Sequence, residues 1–447
     1  MEKKFLVVAI LILSGIGNVI GQAIPQKTIL INNVQIFNGK DEKLLTGNVL
    51  IVGGLISKVS STPIPTNKSA NTIIIDGKGK FLMPGLIDAH AHTMMDAIPL
   101  QLAMVSDIGY VNLFAANSAG KQLMRGFTTV RDMGGASFSL KTAIDQGLVN
   151  GPRIYPSGAT ISQTGGHGDF GMPTDVPRQV GAPLSYFEKT GMTSIADGAD
   201  QVLMRTREQL RQGASQIKLM AGGGVSSNYD PIDVAQYTEA EFKSAVAAAE
   251  NWGTYVAVHA YTPKAITAAI TAGVKCIEHG QLMDEPTAKL MAAKGTWLCL
   301  QPFLDDEDAT PFPEGSDNRA KQLQMFSGTD NAYKLAIKYK LKMAFGTDCL
   351  FDAKIARRQG IQLTKLTRWF TPYEILKMAT STNAELLAMS GFRNPYKNKL
   401  GVIEEGAYAD LLVVDGNPLQ DIKLVEDPEN NFLVIMKNGV VYKNNLK

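Results

Sequence analysis

The sequence predicts an α/β protein: a (β/α)8 TIM barrel joined to a small composite β-sandwich made from the two terminal segments. Three observations predict it. Apolar strand-like runs alternate eight times with helix-like stretches across residues 83–390. The flanking segments, 23–82 and 391–447, carry strand runs and tight-turn signals with little helical periodicity. Metal-suited side chains fall at the ends of the barrel strands, the face on which such barrels keep their active sites.

The flanks come first. Runs at 28–31, 34–37, 48–52, 55–59 and 72–76 read as strands, and Gly53-Gly54 reads as a two-residue hairpin turn. Near the other end, 409–415, 432–436 and 440–442 repeat the pattern around an Asn438-Gly439 turn. Between them the barrel strands are expected at 86–90, 127–132, 153–158, 215–220, 254–259, 274–278, 296–301 and 343–347. Helix starts are marked by Thr238 with Glu241, and by Thr371 with Pro372 and Glu374. A doubly wound open sheet is the alternative, but no G-x-G-x-x-G follows an early strand. The longest connection, 159–197, is read as a loop without regular structure on the active-site face.

Composition narrows the function. The chain has 447 residues, 45% hydrophobic and 19% charged, which is ample for a large core. Its 44 basic and 42 acidic residues leave a net charge of +2, so neither nucleic acid nor an anionic membrane is indicated as a partner. Lys3-Lys4, an apolar run over 5–13 and the breakers Gly15, Gly17 and Asn18 read as a signal peptide over 1–22. That run is too short for a span, so an exported protein, periplasmic or secreted, free of the membrane after cleavage is expected. Cys276, Cys299 and Cys349 lie in or beside apolar runs without a C-x-x-C, and read as free buried thiols.

The chemistry starts at His90 and His92. Residues two apart on a strand point to one side, so this pair can aim two imidazoles at one point, and imidazole suits zinc and its neighbours. The chain has only five histidines, and the other three also sit at strand ends or in a Gly-rich loop. His259 closes V-A-V-H, His279 closes C-I-E-H, and His167 lies in G-G-H-G-D. Asp348 closes A-F-G-T-D, and Lys218 lies within I-K-L-M-A-G-G-G. Tyr229, after strand four, and Tyr261, after His259, are candidates to face a substrate. Asp132 is read as structural. The acidic loop from Asp305 to Asp308 is read as solvated, with attraction of cationic side chains as the alternative.

These motifs resemble the amidohydrolase superfamily of metal-dependent hydrolases, over nearly the whole chain after the leader. The wording is similar to its Xaa-Pro dipeptidase-like and imidazolonepropionase-related branch, and the G-G-H-G-D and K-L-M-A-G-G-G stretches to its peptidases and ochratoxin-hydrolysing amidases. The resemblance implies that His90, His92, Lys218, His259, His279 and Asp348 hold two divalent ions, zinc first. It also implies that Lys218 carries a CO2-derived carbamate. An ammonium repels cations, whereas a carbamate offers bridging oxygens like a carboxylate. Asp348 then doubles as proton shuttle, and His167 polarises the substrate carbonyl, with Tyr229 and Tyr261 beside the substrate. The implied substrate is a small amide: a dipeptide, Xaa-Pro, an N-acyl amino acid or an ochratoxin-like amide. A mononuclear imidazolonepropionase- or deaminase-like enzyme with Lys218 unmodified is the alternative. A non-catalytic binding protein on the same barrel would require a missing ligand, and none is missing. The resemblance is also compatible with a homo-oligomer.

Overall fold

Residues 27–66, 71–179 and 181–446 are described in the computed structural model; the leader expected over 1–22 lies outside them. Four strands come first: β1 Thr28–Ile36, β2 Leu45–Val52, β3 Leu55–Ser60 and β4 Thr72–Pro84. A parallel series follows: β5 Leu86–Ala91, β6 Phe127–Asp132, β7 Arg153–Pro156, β8 Thr160–Ser162, β9 Thr193–Ile195, β10 Ile217–Met220, β11 Val256–Ala260, β12 Cys276–His279, β13 Trp297–Cys299 and β14 Lys342–Ala344. The chain then returns through β15 Leu411–Val414, β16 Phe432–Lys437 and β17 Val440–Asn444.

The two flanks form one seven-stranded sheet in the order β17-β16-β15-β4-β1-β2-β3. Both predicted turns are present, and Gly53, Gly54, Asn438 and Gly439 all have positive φ, from 52 to 92°. Side chains alternate between the two faces. Leu411 and Val413 join Ile29, Ile31 and Val49 in a core of their own, while Leu412 and Val414 join Phe81 and Phe432 in the main core. The expected sandwich is a single sheet that rolls towards itself: Ile56 N–H donates to Ala407 O (2.8 Å) and Ala409 N–H to Gly54 O (2.9 Å). One apolar face thereby covers itself without a second layer.

The parallel strands make two sheets, β5-β6-β7 and β14-β13-β12-β11-β10-β8-β9. The third predicted strand, 153–158, stops at Pro156, and Gly158 (φ 76°) turns the chain into a further strand, β8, in the predicted connection. β7 pairs with β6 and β8 with β10, so one short stretch of chain passes from sheet to sheet. On the other side Ala89 N–H donates to Phe345 O (2.9 Å) and Asp348 N–H to His90 O (2.8 Å). Helices such as Ile108–Met124, Glu239–Asn251 and Pro263–Thr271 connect the strands, and the predicted capping boxes at Thr238 and Thr371 are formed.

The connection 159–197 is not structureless. It holds β8, a helical turn Pro173–Asp175, a helix Tyr186–Lys189 and β9. The β-branched residues Thr160, Ile161, Thr193 and Ile195 extend the larger sheet there.

Asn383 fastens β5 to the segment beyond β14. Its Nδ2 donates to Ile87 O (2.7 Å) and Phe345 O (2.8 Å), and its Oδ1 accepts from Phe345 N–H (3.0 Å). Asn383→Ala removes three buried hydrogen bonds and takes from the Phe345 N–H its side-chain partner, so we expect a loss of about 1–3 kcal/mol in urea unfolding. An unchanged midpoint would remove this clamp from the account.

Candidate active site

The residues that build the site are delivered by strand ends. His90 lies in β5 and His92 just beyond it; Lys218 lies in β10, His259 in β11 and His279 at the end of β12. Asp348 lies four residues past the end of β14 and is brought in by its backbone bond to His90 O. All six line one cavity of about 410 Å³, together with His167 and Tyr261.

Asp348 is the point where the imidazoles meet. Its Oδ1 lies 3.1 Å from His92 Nε2 and 3.3 Å from His90 Nε2, and its Oδ2 lies 3.9 Å from His279 Nδ1. Burial pushes its carboxyl up, but His90, His279 and His92 outweigh burial and hold it well below the usual carboxylate range. Asp348 and His279 both have left-handed backbone, with φ of 53° and 78°. Such conformations persist where surrounding bonds over-determine them.

Hydrogen bonds decide which ring nitrogens remain free. His259 Nε2 lies 3.0 Å from Gly223 O; a carbonyl only accepts, so Nε2 carries the proton and Nδ1 keeps its lone pair. Gln301 Nε2 donates to Cys299 O, so its Oε1 accepts from His279 Nδ1–H at 2.7 Å, leaving Nε2 free. His90 Nδ1–H donates to Glu278 Oε2 (2.8 Å), and His90 Nε2 and His92 Nδ1 are buried without a hydrogen-bond partner. Burial pushes the His90 imidazole down to about 3 and that of His279 down to about 4, and it pushes His259 well below its usual value. Neutral rings with free lone pairs are what a metal ligand requires.

The donor set therefore fits divalent metal. His90, His279 and Asp348 alone bring one donor atom each within 4.8 Å of one another. Lys218 is 1% exposed, and no carboxylate lies within 4 Å of its Nζ among the described residues. Burial pushes its ammonium down.

His167 is clamped on three sides. Its ring stacks on His259 with centroids 4.0 Å apart, and its Nδ1 lies 2.7 Å from Ser227 Oγ and 3.4 Å from Asp230 Oδ2. A Cβ at Gly224 would sit 1.9 Å from the His167 ring, so only glycine fits there. Gly346 has the same relation to His90, whose Cβ would lie 2.4 Å from an added Cβ.

The two tyrosines part company. Tyr261 is buried 4.7 Å from the His259 ring and 5.3 Å from that of His279. Tyr229 is 45% exposed and does not line the cavity. The buried positions of its loop go to Ser227 and Asp230, and the structure does not bring Tyr229 together with the other expected site residues. The acidic loop is also not simply solvated: Asp305 pairs with Arg319 (2.9 Å), Asp306 with Lys365 (2.8 Å), and Asp308 with Arg358 and Lys365.

Sequence reasoning missed the residues behind the ligands. Glu278 and Arg131 are both fully buried; Arg131 Nη2 reaches both Glu278 oxygens (2.8 and 2.7 Å), and Glu278 in turn holds His90. A Glu and an Arg inside the apolar runs C-I-E-H and T-T-V-R-D were the available signal, since neither is buried without a partner. Asp88 accepts from the N–H groups of His90 and Thr347 (3.0 Å each) and from Gln359. Asp132 holds Thr93 through both its N–H and its hydroxyl, the structural role expected of it, and all three cysteines are free and buried, as expected.

The amidohydrolase family model matches residues 81–443. The chain belongs to the amidohydrolase family. Ochratoxinase from Aspergillus niger is 31% identical over 425 residues, 91% of this chain and 84% of that protein. A solved prolidase, complexed with N-methylphosphonate-L-proline, superposes with a TM-score of 0.83 at 35% identity, covering 93% of this chain and 100% of its own. A Xaa-Pro dipeptidase with methionine bound in its active site gives 0.79 at 29% identity, with coverage of 93% and 100%. The chain is thus a hydrolase acting on amide or peptide C–N bonds.

Glu278→Gln should weaken metal binding by about 10–100-fold, because residues that orient a ligand imidazole matter nearly as much as the ligand itself. Competition with a chromogenic chelator reads this, and unchanged affinity would remove Glu278 from the metal site.

Proposed function

We propose that this protein is an exported, binuclear metal-dependent amidohydrolase that cuts the amide or peptide bond to a C-terminal amino acid. Its substrate is a dipeptide, an Xaa-Pro compound, an N-acyl amino acid or an ochratoxin-like amide. The observation that carries this reading is the convergence of four imidazoles, Asp348 and the buried Lys218 on one cavity floor. The names of the similar proteins point the same way. We take the two bridged parallel sheets as one (β/α)8 barrel over 83–390, with 23–82 and 391–447 as its companion domain. Export rests on the leader read over 1–22.

His90, His92, His259, His279 and Asp348 are the donors for two divalent ions, zinc first. Lys218, carboxylated by CO2, would add an oxygen donor to that set. Burial favours the neutral amine of Lys218, the form that combines with CO2. Bound ions supply Lewis acidity and a water of lowered pKa. The ionised Asp348 accepts the proton of the attacking water on a carboxylate oxygen and returns it to the leaving nitrogen. His167, held through Nδ1, turns the rest of its ring to the cavity beside the substrate carbonyl. Tyr261 borders the same space.

Free amino-acid release from dipeptides, N-acyl amino acids and ochratoxin A, with added zinc or with a chelator, tests the reading. We expect release from at least one group, abolished by the chelator; silence across the panel with metal bound would overturn it. Asp348→Asn should lower turnover by about two orders of magnitude or more while far-ultraviolet dichroism stays unchanged, and normal turnover would refute the proton-shuttle role. Lys218→Ala should cut metal per chain by about half, read by plasma mass spectrometry; normal loading would refute the donor role.

A further inference from the structure

The cavity above the ligands has two apolar walls from different parts of the fold. Phe303 and Phe312, from the chain after β13, and Phe326, from the helix Asp317–Lys338, pack on the small cluster around Tyr261. Phe170, from the connection after β8, and Leu350 and Phe351, from the chain after β14, pack on a separate cluster around Met94 and Ile98.

Each wall begins at the ligand set. The Phe303 ring lies nearly parallel to that of His279, with centroids 6.4 Å apart. Leu350 and Phe351 lie two and three residues after Asp348 in the chain, and Phe351 meets Phe170 edge-on at 6.4 Å. An amide placed over the ligands therefore has an apolar wall reaching away on either hand.

Beyond the ligand set, the charged side chains that line this space are Asp308, Asp352 and Lys365, and each already holds hydrogen-bond or ion-pair partners. Lys365 bonds Asp306 and Asp308 at 2.8 and 3.1 Å, and Arg358 bonds Asp308 as well as Glu307 at 2.7 Å. Asp352 accepts from Lys354 N–H (2.6 Å) and Ile355 N–H (3.2 Å) at a helix start. A charged substrate side chain would lie unpaired against phenylalanine or would have to break one of these pairs, and both are costly.

We propose that the enzyme selects amides bearing a bulky apolar group on each side of the scissile bond, and rejects those with a charged side chain at either place. This rests on the amide-hydrolase reading above.

The test is kcat/KM of the metal-loaded full chain on a matrix of N-acyl amino acids: acetyl or phenylbutanoyl joined to alanine, phenylalanine, aspartate or lysine. We expect phenylbutanoyl-phenylalanine to exceed acetyl-alanine, phenylbutanoyl-aspartate and phenylbutanoyl-lysine by about a hundredfold or more, since each methylene in an apolar pocket is worth about tenfold or more. Phe312→Ala and Phe351→Ala should each lose about tenfold on phenylbutanoyl-phenylalanine. One loss should persist on acetyl-phenylalanine and the other on phenylbutanoyl-alanine, because the two walls serve opposite ends. Equal rates for charged, small and bulky members would overturn this proposal alone. No release from any member would overturn the amide-hydrolase reading and this proposal with it. Should either variant misfold, the matrix on the unaltered chain decides.

Discussion

The carboxylate of Glu278 is the constraint on which the centre depends. It sits at the end of β12, wholly buried, between the Arg131 guanidinium and the His90 ring. Burial would raise it, but Arg131 and then His90 hold it well below the usual carboxylate range. Two charges removed from water are not in themselves a gain in stability, because desolvation offsets most of their attraction. What the pair provides is orientation. With Glu278 anionic, His90 must donate through Nδ1, so its Nε2 faces the other ligands as a lone pair.

The same logic extends outward. Gly223 O fixes the tautomer of His259 and Gln301 that of His279. Asp88 ties the backbone of His90 to that of Thr347, one residue before Asp348. Asn383 ties the same two segments one step earlier. These bonds keep Asp348 in a left-handed conformation that an isolated aspartate adopts only at a cost. The geometry of the donor set is thus fixed by buried polar groups outside it.

Much of this was legible along the chain. Strand positions followed from apolar runs, and the hairpin turns at Gly53-Gly54 and Asn438-Gly439 from the positive φ those turns demand. Four ligand candidates followed from scarce histidines at strand ends, Asp348 from the same position after another strand, and Lys218 from the family resemblance. The errors have physical causes. The third strand stops at Pro156 instead of 158, because Gly158, with positive φ, turns the chain out of the smaller sheet. The connection 159–197 hid two three-residue strands too short to show a period. Tyr229 looked poised for substrate, yet neighbouring positions in an irregular loop have no fixed alternation, and Ser227 and Asp230 took the buried places.

By itself, the sequence determined the order of the longer strands, the kinds of donor side chain at their ends and the turns, because each depends on local pattern or on residue type. Tertiary structure decided which ring nitrogens are free, which acids are already paired with a base, and which apolar residues face one another across the cavity. Those depend on partners far away in the chain. Glu278 meets Arg131 across 147 positions and Asp348 meets His92 across 256, separations at which no local pattern records the contact.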